Sequence, residues 1–198
     1  FVGDSITEGG HDVEPENAWA ALFRQSLERA FPNVVWTFEN LSLGQRDAQH
    51  LAGADYLALA AEPGDKDQGF FRAPPGPFPS DTWSGGSQLG VSWRQHVRDQ
   101  APDLVVWAHG MNNFTMTGQE YAEAVQGFYD YTRTWAKPPT VALVTTFLPT
   151  RLDPSFRAQQ AAHDAHYRIL RDFAALHRLP LIDANRVHHF LRDGVDEG

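Results

Sequence analysis

Three short stretches of this chain carry residue types that together could transfer an acyl group. Gly3-Asp4-Ser5-Ile6-Thr7 sets a serine hydroxyl close to a glycine. Asn40-Leu41-Ser42-Leu43-Gly44 ends on a glycine whose N–H no side chain of its own screens. His109-Gly110-Met111-Asn112-Asn113 holds a carboxamide just past another glycine. A hydroxyl that attacks a carbonyl needs hydrogen-bond donors where negative charge develops on the carbonyl oxygen, and an open backbone N–H and an asparagine amide are such donors. Each stretch alone has a plainer reading. Gly-Asp-Ser is also a helix cap or a phosphate-binding turn, Gly44 a turn glycine, and Asn112 with Asn113 a pair of local turn residues. Their joint occurrence shifts the balance, because each follows a run that reads as a strand.

The elements that would bring them together alternate along the chain. Phe1-Val2 reads as the tail of a first strand. Residues 17–31 read as a helix, with Trp19, Leu22, Phe23, Leu27 and Ala30 at three- and four-residue spacing, closed by Pro32-Asn33. Val34-Val35-Trp36-Thr37-Phe38 is β-branched and aromatic and reads as a second strand. Residues 47–61 and 91–100 read as helices. Leu104-Val105-Val106-Trp107-Ala108 suits a parallel strand buried on both faces. Thr117 with Glu120 forms a capping-box pattern opening a helix to Ala136. Thr140 to Phe147 is another strand, Pro154 opens a long helix to His177, Leu179 to Asp183 is a last strand, and Asn185 to Leu191 a final helical piece. The alternation predicts an α/β fold, a three-layer α/β/α sandwich with about five parallel strands in the flavodoxin-like order 2-1-3-4-5. In that order Ser5 stands between Gly44 and Asn112 at the carboxyl ends of the strands, where such sheets bind ligands.

Composition narrows the field. The chain has 198 residues, 42% of them hydrophobic and 21% charged, enough for a full core in a single domain over 1–198. Lys and Arg total 16 against 25 Asp and Glu, for a net charge of −9. Phosphate binding needs clustered cations, so nucleic acid is not an expected partner, nor is an anionic membrane surface. Without cysteine there are no disulfides, thiolate metal sites or cysteine nucleophiles. No apolar run reaches the ~18 residues a membrane span needs. Phe1-Val2 begins on strand residues and Asp196-Glu197-Gly198 closes no element, so both ends are expected to be truncated. The compartment stays open.

Other clusters carry less. His163 and His166 are three apart on a helix with Asp164 between them. Zinc pairs are usually four apart with a third ligand downstream, so a solvated helix face is the expectation and no metal is implied. His109 is expected to make a structural hydrogen bond, and His188 and His189 to lie on a partly exposed helix face. The first glycine loop lacks the phosphate-binding patterns, and Asp4, Glu8, Asp12 and Glu14 would repel a phosphate, which ranks a flavin-binding reading low. Residues 62–90 form a proline- and glycine-rich loop excursion carrying Phe70, Phe71, Phe78 and Trp83. Those aromatics would stack on sugars or acyl groups, or equally pin the loop to the body. Trp19, Trp36, Trp93, Trp107 and Trp135 read as core.

The three stretches, in this order, resemble the signatures of the SGNH (or GDSL) hydrolases over most of the chain. The resemblance implies a serine esterase: Ser5 as nucleophile, and the N–H of Ser5, the N–H of Gly44 and the side chain of Asn112 as oxyanion donors, with no cofactor. The family pattern has Asp after the asparagine where this chain has Asn113. Its fourth signature, Asp-x-x-His near the C-terminus, is not found. Asp183 precedes His188 and His189 at the wrong spacing, and Asp193-Gly194-Val195-Asp196 has Asp in place of His. The motif is expected beyond Gly198, the competing views being substitution by His188 or His189, or a dead site. The substrate expected from the resemblance and the loop aromatics is a small-molecule or carbohydrate ester, with an acetyl ester on a carbohydrate favoured. The alternative is a non-catalytic carbohydrate-binding module on the same fold.

Overall fold

The computed structural model describes residues 1–4, 7, 19–42, 48–52, 93–110, 112–146 and 154–193. Ser5, Gly44, the 62–90 excursion with its aromatics, and residues 194–198 lie outside the described residues. Four strands form one parallel sheet in the order β1 (Val2–Gly3), β2 (Leu104–Ala108), β3 (Thr140–Thr145) and β4 (Leu181–Asp183). The register sets Gly3 beside Ala108, Trp107 beside Leu143, and Thr145 beside Asp183. All the carboxyl ends therefore fall on one edge.

The expected strand over Val34–Phe38 does not form, so the sheet has four strands rather than five. Its pairing falls a few residues later. Phe1 N–H donates to the Glu39 carbonyl at 2.6 Å, and Leu41 N–H donates to the Phe1 carbonyl at 2.8 Å. These are the two bonds of a single parallel bridge. Beside the two-residue β1, only Phe1 among the described residues pairs backbone to backbone with this segment, and Val35 points its side chain to solvent at 95% exposure. The 39–41 segment nonetheless lies outside β1, so the spatial order follows the expected one.

Six helices cover the sheet among the described residues: α1 (Trp19–Ala30), α2 (Ala48–Ala52), α3 (Trp93–Asp99), α4 (Gly118–Arg133), α5 (Pro154–His177) and α6 (Ala184–Asp193). Strand alternation sorts the core into two layers. Val2, Val105, Trp107, Val141 and Leu143 pack with Leu51 of α2, Trp93 of α3, Phe128 of α4 and Leu170 of α5. Val106, Ala108, Ala142 and Val144 pack with Phe1 and with Trp19 and Phe23 of α1. Phe1 meets Trp19 and Phe23 edge-on at 5.7 and 5.8 Å and stacks on Phe38. Trp93, Trp107 and Trp135 are buried as expected, while Trp19 and Trp36 are partly covered.

Helix α4 starts where its sequence says it should. Glu120 N–H donates to the Thr117 hydroxyl at 3.2 Å, and Thr117 N–H donates to the Glu120 carboxylate at 2.7 Å, a complete capping box. Helix α5 runs over the expected Pro154–His177. It ends on Arg178 in the left-handed region at φ 54°, with Leu179 N–H donating to the Ala174 carbonyl. Asp183, at the end of β4, joins three elements. Arg171 of α5 donates two bonds to its carboxylate at 2.7 and 3.0 Å, the Thr145 hydroxyl donates at 2.9 Å, and Arg186 N–H donates at 3.2 Å. Burial pushes this carboxyl up, but Arg171, Thr145 and Arg186 together hold it below its ordinary value.

The expectation that His163 and His166 lie on a solvated face is overturned. Both are buried, at 1% and 2% exposure. They belong to the same stripe of α5 as Tyr167, Leu170, Phe173 and Ala174, which faces the core. His166 Nε2 bonds the Met116 carbonyl at 3.0 Å, and its ring lies 4.7 Å from that of Tyr121. His163 packs against the rings of Tyr167 and Phe114. Burial, reinforced by neighbouring His166, pushes the His163 pKa down to about 4, against smaller opposing pulls from Asp164 and the Gly110 backbone. Burial likewise lowers His166.

These shifts have a sign. An unfolded chain protonates His163 near 6.5 and the folded chain only near 4, so unfolding takes up a proton between those values. Stability is then full above pH 6.5 and falls below it by about 1.4 kcal/mol per pH unit from this residue, on the order of 3 kcal/mol in all. Urea titrations between pH 7 and 4.5 are expected to show this loss. His163→Gln should flatten the slope by about one proton; an unchanged slope would count against the assignment.

Candidate active site

The site is built from the turns that leave the carboxyl edge. Directly after β1 the chain folds back, and Thr7 N–H donates to the Asp4 carbonyl at 3.0 Å. The Thr7 side chain lies over Gly3, so that a Cβ at Gly3 would collide with it and with the Ala108 carbonyl. Only glycine fits there. The buried Thr7 hydroxyl donates to the Ala108 carbonyl at 3.1 Å, and Asn40 Nδ2 donates to the Thr7 carbonyl at 2.9 Å. Asn40 Oδ1 in turn accepts from Ser42 N–H at 3.3 Å. Thr7, just past Ser5 in sequence, is thus held by β2 on one side and by the 39–42 segment on the other.

The third strand end is fastened just as closely. The Asp4 carboxylate, fully buried, accepts from Gly110 N–H at 3.1 Å. Gly110 itself is required by crowding. Thr146 and Tyr167 share a hydrogen bond between their hydroxyls, and both occupy the place a Cβ on residue 110 would take. Burial and the nearby Asp4 carboxylate keep the Tyr121 and Tyr167 hydroxyls well above the ordinary tyrosine range, although Thr146 opposes this at Tyr167. Gly110→Ala is expected to cost about 1–3 kcal/mol of stability through overpacking and to displace the turn that carries Asn112. Urea unfolding midpoints measured beside turnover would check both.

Asn112 is half-buried and leads into the 3₁₀ turn Asn113–Thr115, which its side chain does not cap. Asn113 is fully buried, and its Oδ1 accepts from Ala48 N–H at the start of α2 at 3.0 Å. His109 makes the structural bond expected of it, accepting at Nδ1 from the Trp107 indole N–H. Of the residues expected to act, Asn112 is therefore placed at the carboxyl edge. Ser5 and Gly44 are bracketed by described neighbours, Asp4 and Thr7 for one and Ser42 and Ala48 for the other, and of these Asp4, Thr7 and Ala48 are bonded to Gly110, Ala108 and Asn113.

The residues that do this cross-bonding, Asp4, Thr7, Asn40 and Asn113, are not among the expected site residues. Their signal was a polar residue beside each glycine or serine in a stretch otherwise fit for burial. His189 is buried, its Nε2 bonded to Asp164 at 3.0 Å, which corrects the exposed-face expectation for that residue. His188 is partly exposed. Among the described residues no group of three or more His, Asp or Glu side chains is placed to hold a metal, and no helix is long and apolar enough to cross a membrane. An apolar cavity of about 460 Å³, lined by Phe23, Val34, Trp36, Pro102 and Leu104 among others, opens at the opposite, amino-terminal edge of β2. It contains none of the candidate residues and lies on the wrong side of the sheet for the chemistry.

Residues 1–197 match the model of the GDSL-like lipase/acylhydrolase family. No match was found among the curated proteins. Among solved structures, the fold is similar to that of a two-domain esterase active on acetylated mannans, co-crystallised with mannopentaose, at 20% identity and a TM-score of 0.58; 98% of this chain and 40% of that chain are covered. A second structure of an esterase so described gives 19% identity and a TM-score of 0.58, covering 99% and 40%. An acetyl xylan esterase from Geobacillus stearothermophilus gives 17% identity and a TM-score of 0.61, covering 98% of this chain and 79% of that one. The chain thus spans under half the length of the two mannan-active esterase chains.

Proposed function

Since the chain belongs to the GDSL-like lipase/acylhydrolase family, we propose that it is a serine hydrolase that cleaves a carboxylic ester through an acyl-enzyme on Ser5. The Ser5 hydroxyl attacks the ester carbonyl. Charge moves onto the carbonyl oxygen and is met by the N–H of Ser5, the N–H of Gly44 and the Asn112 carboxamide. The tetrahedral intermediate collapses with loss of the alcohol, and water then releases the acid. A general base must take the serine proton. Asp183 is committed to Arg171 and Thr145, and His189 to Asp164, so both serve the packing of α5, β4 and α6.

The observation that carries this reading is the bonding of Asp4 to Gly110 N–H. It ties the residue preceding Ser5 to the turn that holds Asn112. The proposed substrate is an acetyl ester on a carbohydrate. Its support is the described activity of the structural neighbours on acetylated mannans and acetyl xylan, together with the aromatic residues of the 62–90 segment.

The test is acetate release by the full-length protein from a chromogenic acetate and from acetylated mannan and xylan, with fluorophosphonate labelling mapped by peptide mass. Hydrolysis with label on Ser5 is expected. Binding of manno- or xylo-oligosaccharides with neither hydrolysis nor label would favour the non-catalytic carbohydrate-binding alternative.

A further inference from the structure

We propose that Asn113 is a positioning residue, one carboxamide that sets the spacing between the two halves of the oxyanion site. This rests on the roles proposed for Gly44 and Asn112. Asn113 directly follows Asn112, and its own N–H donates to the Gly110 carbonyl at 3.2 Å, so it moves with that turn. Its Oδ1 reaches across 65 residues of sequence to accept from Ala48 N–H at 3.0 Å. Ala48 is the first residue of α2, so this N–H is one of those that an α-helix leaves without an internal partner. It also lies four residues after Gly44. One side chain is therefore bonded in the chain to one proposed donor, and through space to the start of the element that follows the other.

A local turn role accounts for the backbone bonds of Asn113 but not for this distant one. The side chain is fully buried, and its Nδ2 has no partner among the described residues. A buried unpaired donor is unfavourable, and an apolar residue would avoid it. Aspartate would avoid it as well, but would place a negative charge at a fully buried position. Asparagine keeps the acceptor that Ala48 needs without adding charge. The acceptor oxygen is thus the part of the residue with a task.

The experiment uses the full-length protein and the chromogenic acetate. Asn113→Ala and the apolar Asn113→Leu are expected to lower kcat about ten- to a hundred-fold, since a displacement near 1 Å at a reacting centre can cost that much. KM should stay within about two-fold, because the substrate's remote contacts are untouched. Asn113→Asp restores the acceptor and is expected to recover most of the lost kcat. Combined with Asn112→Ala, the Asn113→Ala loss should shrink, because the group being positioned is gone. Hydrogen exchange at the Ala48 amide should speed up in the Ala and Leu variants.

Wild-type kcat in Asn113→Ala, or a loss that multiplies fully with that of Asn112→Ala, would overturn the proposal while leaving the hydrolase reading intact. Unfolding of both the Ala and Leu variants would overturn it too, since the residue would then hold the fold rather than the donors. A wild-type protein that neither hydrolyses the acetate nor takes label on Ser5 would refute the hydrolase reading, and this assignment with it.

Discussion

Ser5→Ala is expected to abolish ester hydrolysis, with kcat falling by at least about 10⁴-fold, since removing a serine nucleophile leaves only binding and charge stabilisation. The same change should erase fluorophosphonate labelling. The fold should survive it, because Asp4 and Thr7, on either side of position 5, make their own bonds to Gly110 and Ala108. Three measurements on one variant separate the explanations: turnover on the chromogenic acetate, label incorporation, and the urea midpoint. Residual turnover near wild type would remove Ser5 from the role. Lost turnover with a collapsed midpoint would make it a structural residue instead.

Asn112→Ala carries the second largest effect. Removing one oxyanion donor typically costs about 2.7–4 kcal/mol of transition-state stabilisation, so kcat should fall about 10²- to 10³-fold with KM little changed. Asn112 is half-buried and its side chain does not cap the turn it begins. Asn112→Asp should be at least as damaging, because a carboxylate would face the developing negative charge. Turnover in Asn112→Ala close to that of the unsubstituted protein would mean that the backbone donors alone meet the oxyanion.

Much of the sheet was legible because its strands are buried on both faces and say so. The run Leu104–Ala108 and the stretch from Thr140 are nearly continuous apolar residues, and both became parallel strands. Helix α4 announced itself through Thr117 and Glu120, and α5 through Pro154. Val34–Phe38 misled because β-branched and aromatic residues describe a preference, while a ladder also needs a partner backbone; here the bonds of Phe1 fall past it, on Glu39 and Leu41. The site residues were legible as types, since a serine and two kinds of donor at successive strand ends form a chemical pattern. Their bracing was not. A hydrogen bond from Ala48 to Asn113 spans two elements and leaves no trace in local spacing. His163 and His166 share a stripe of α5 with Tyr167, Leu170 and Phe173, and that apolar stripe, rather than the spacing of the two histidines, is the sign of their burial.

The bonds beneath the carboxyl edge have a consequence for engineering. Asp4, Thr7, Asn40 and Asn113 are all buried, and each is bonded to the main chain of another segment. The long stretch joining α2 to α3 supplies none of these four bonds. Swapping that stretch for one of different length and side chains should thus leave all four bonds in place, and with them the chemistry proposed for this edge. Chimeras could be screened for new selectivity from a common chassis.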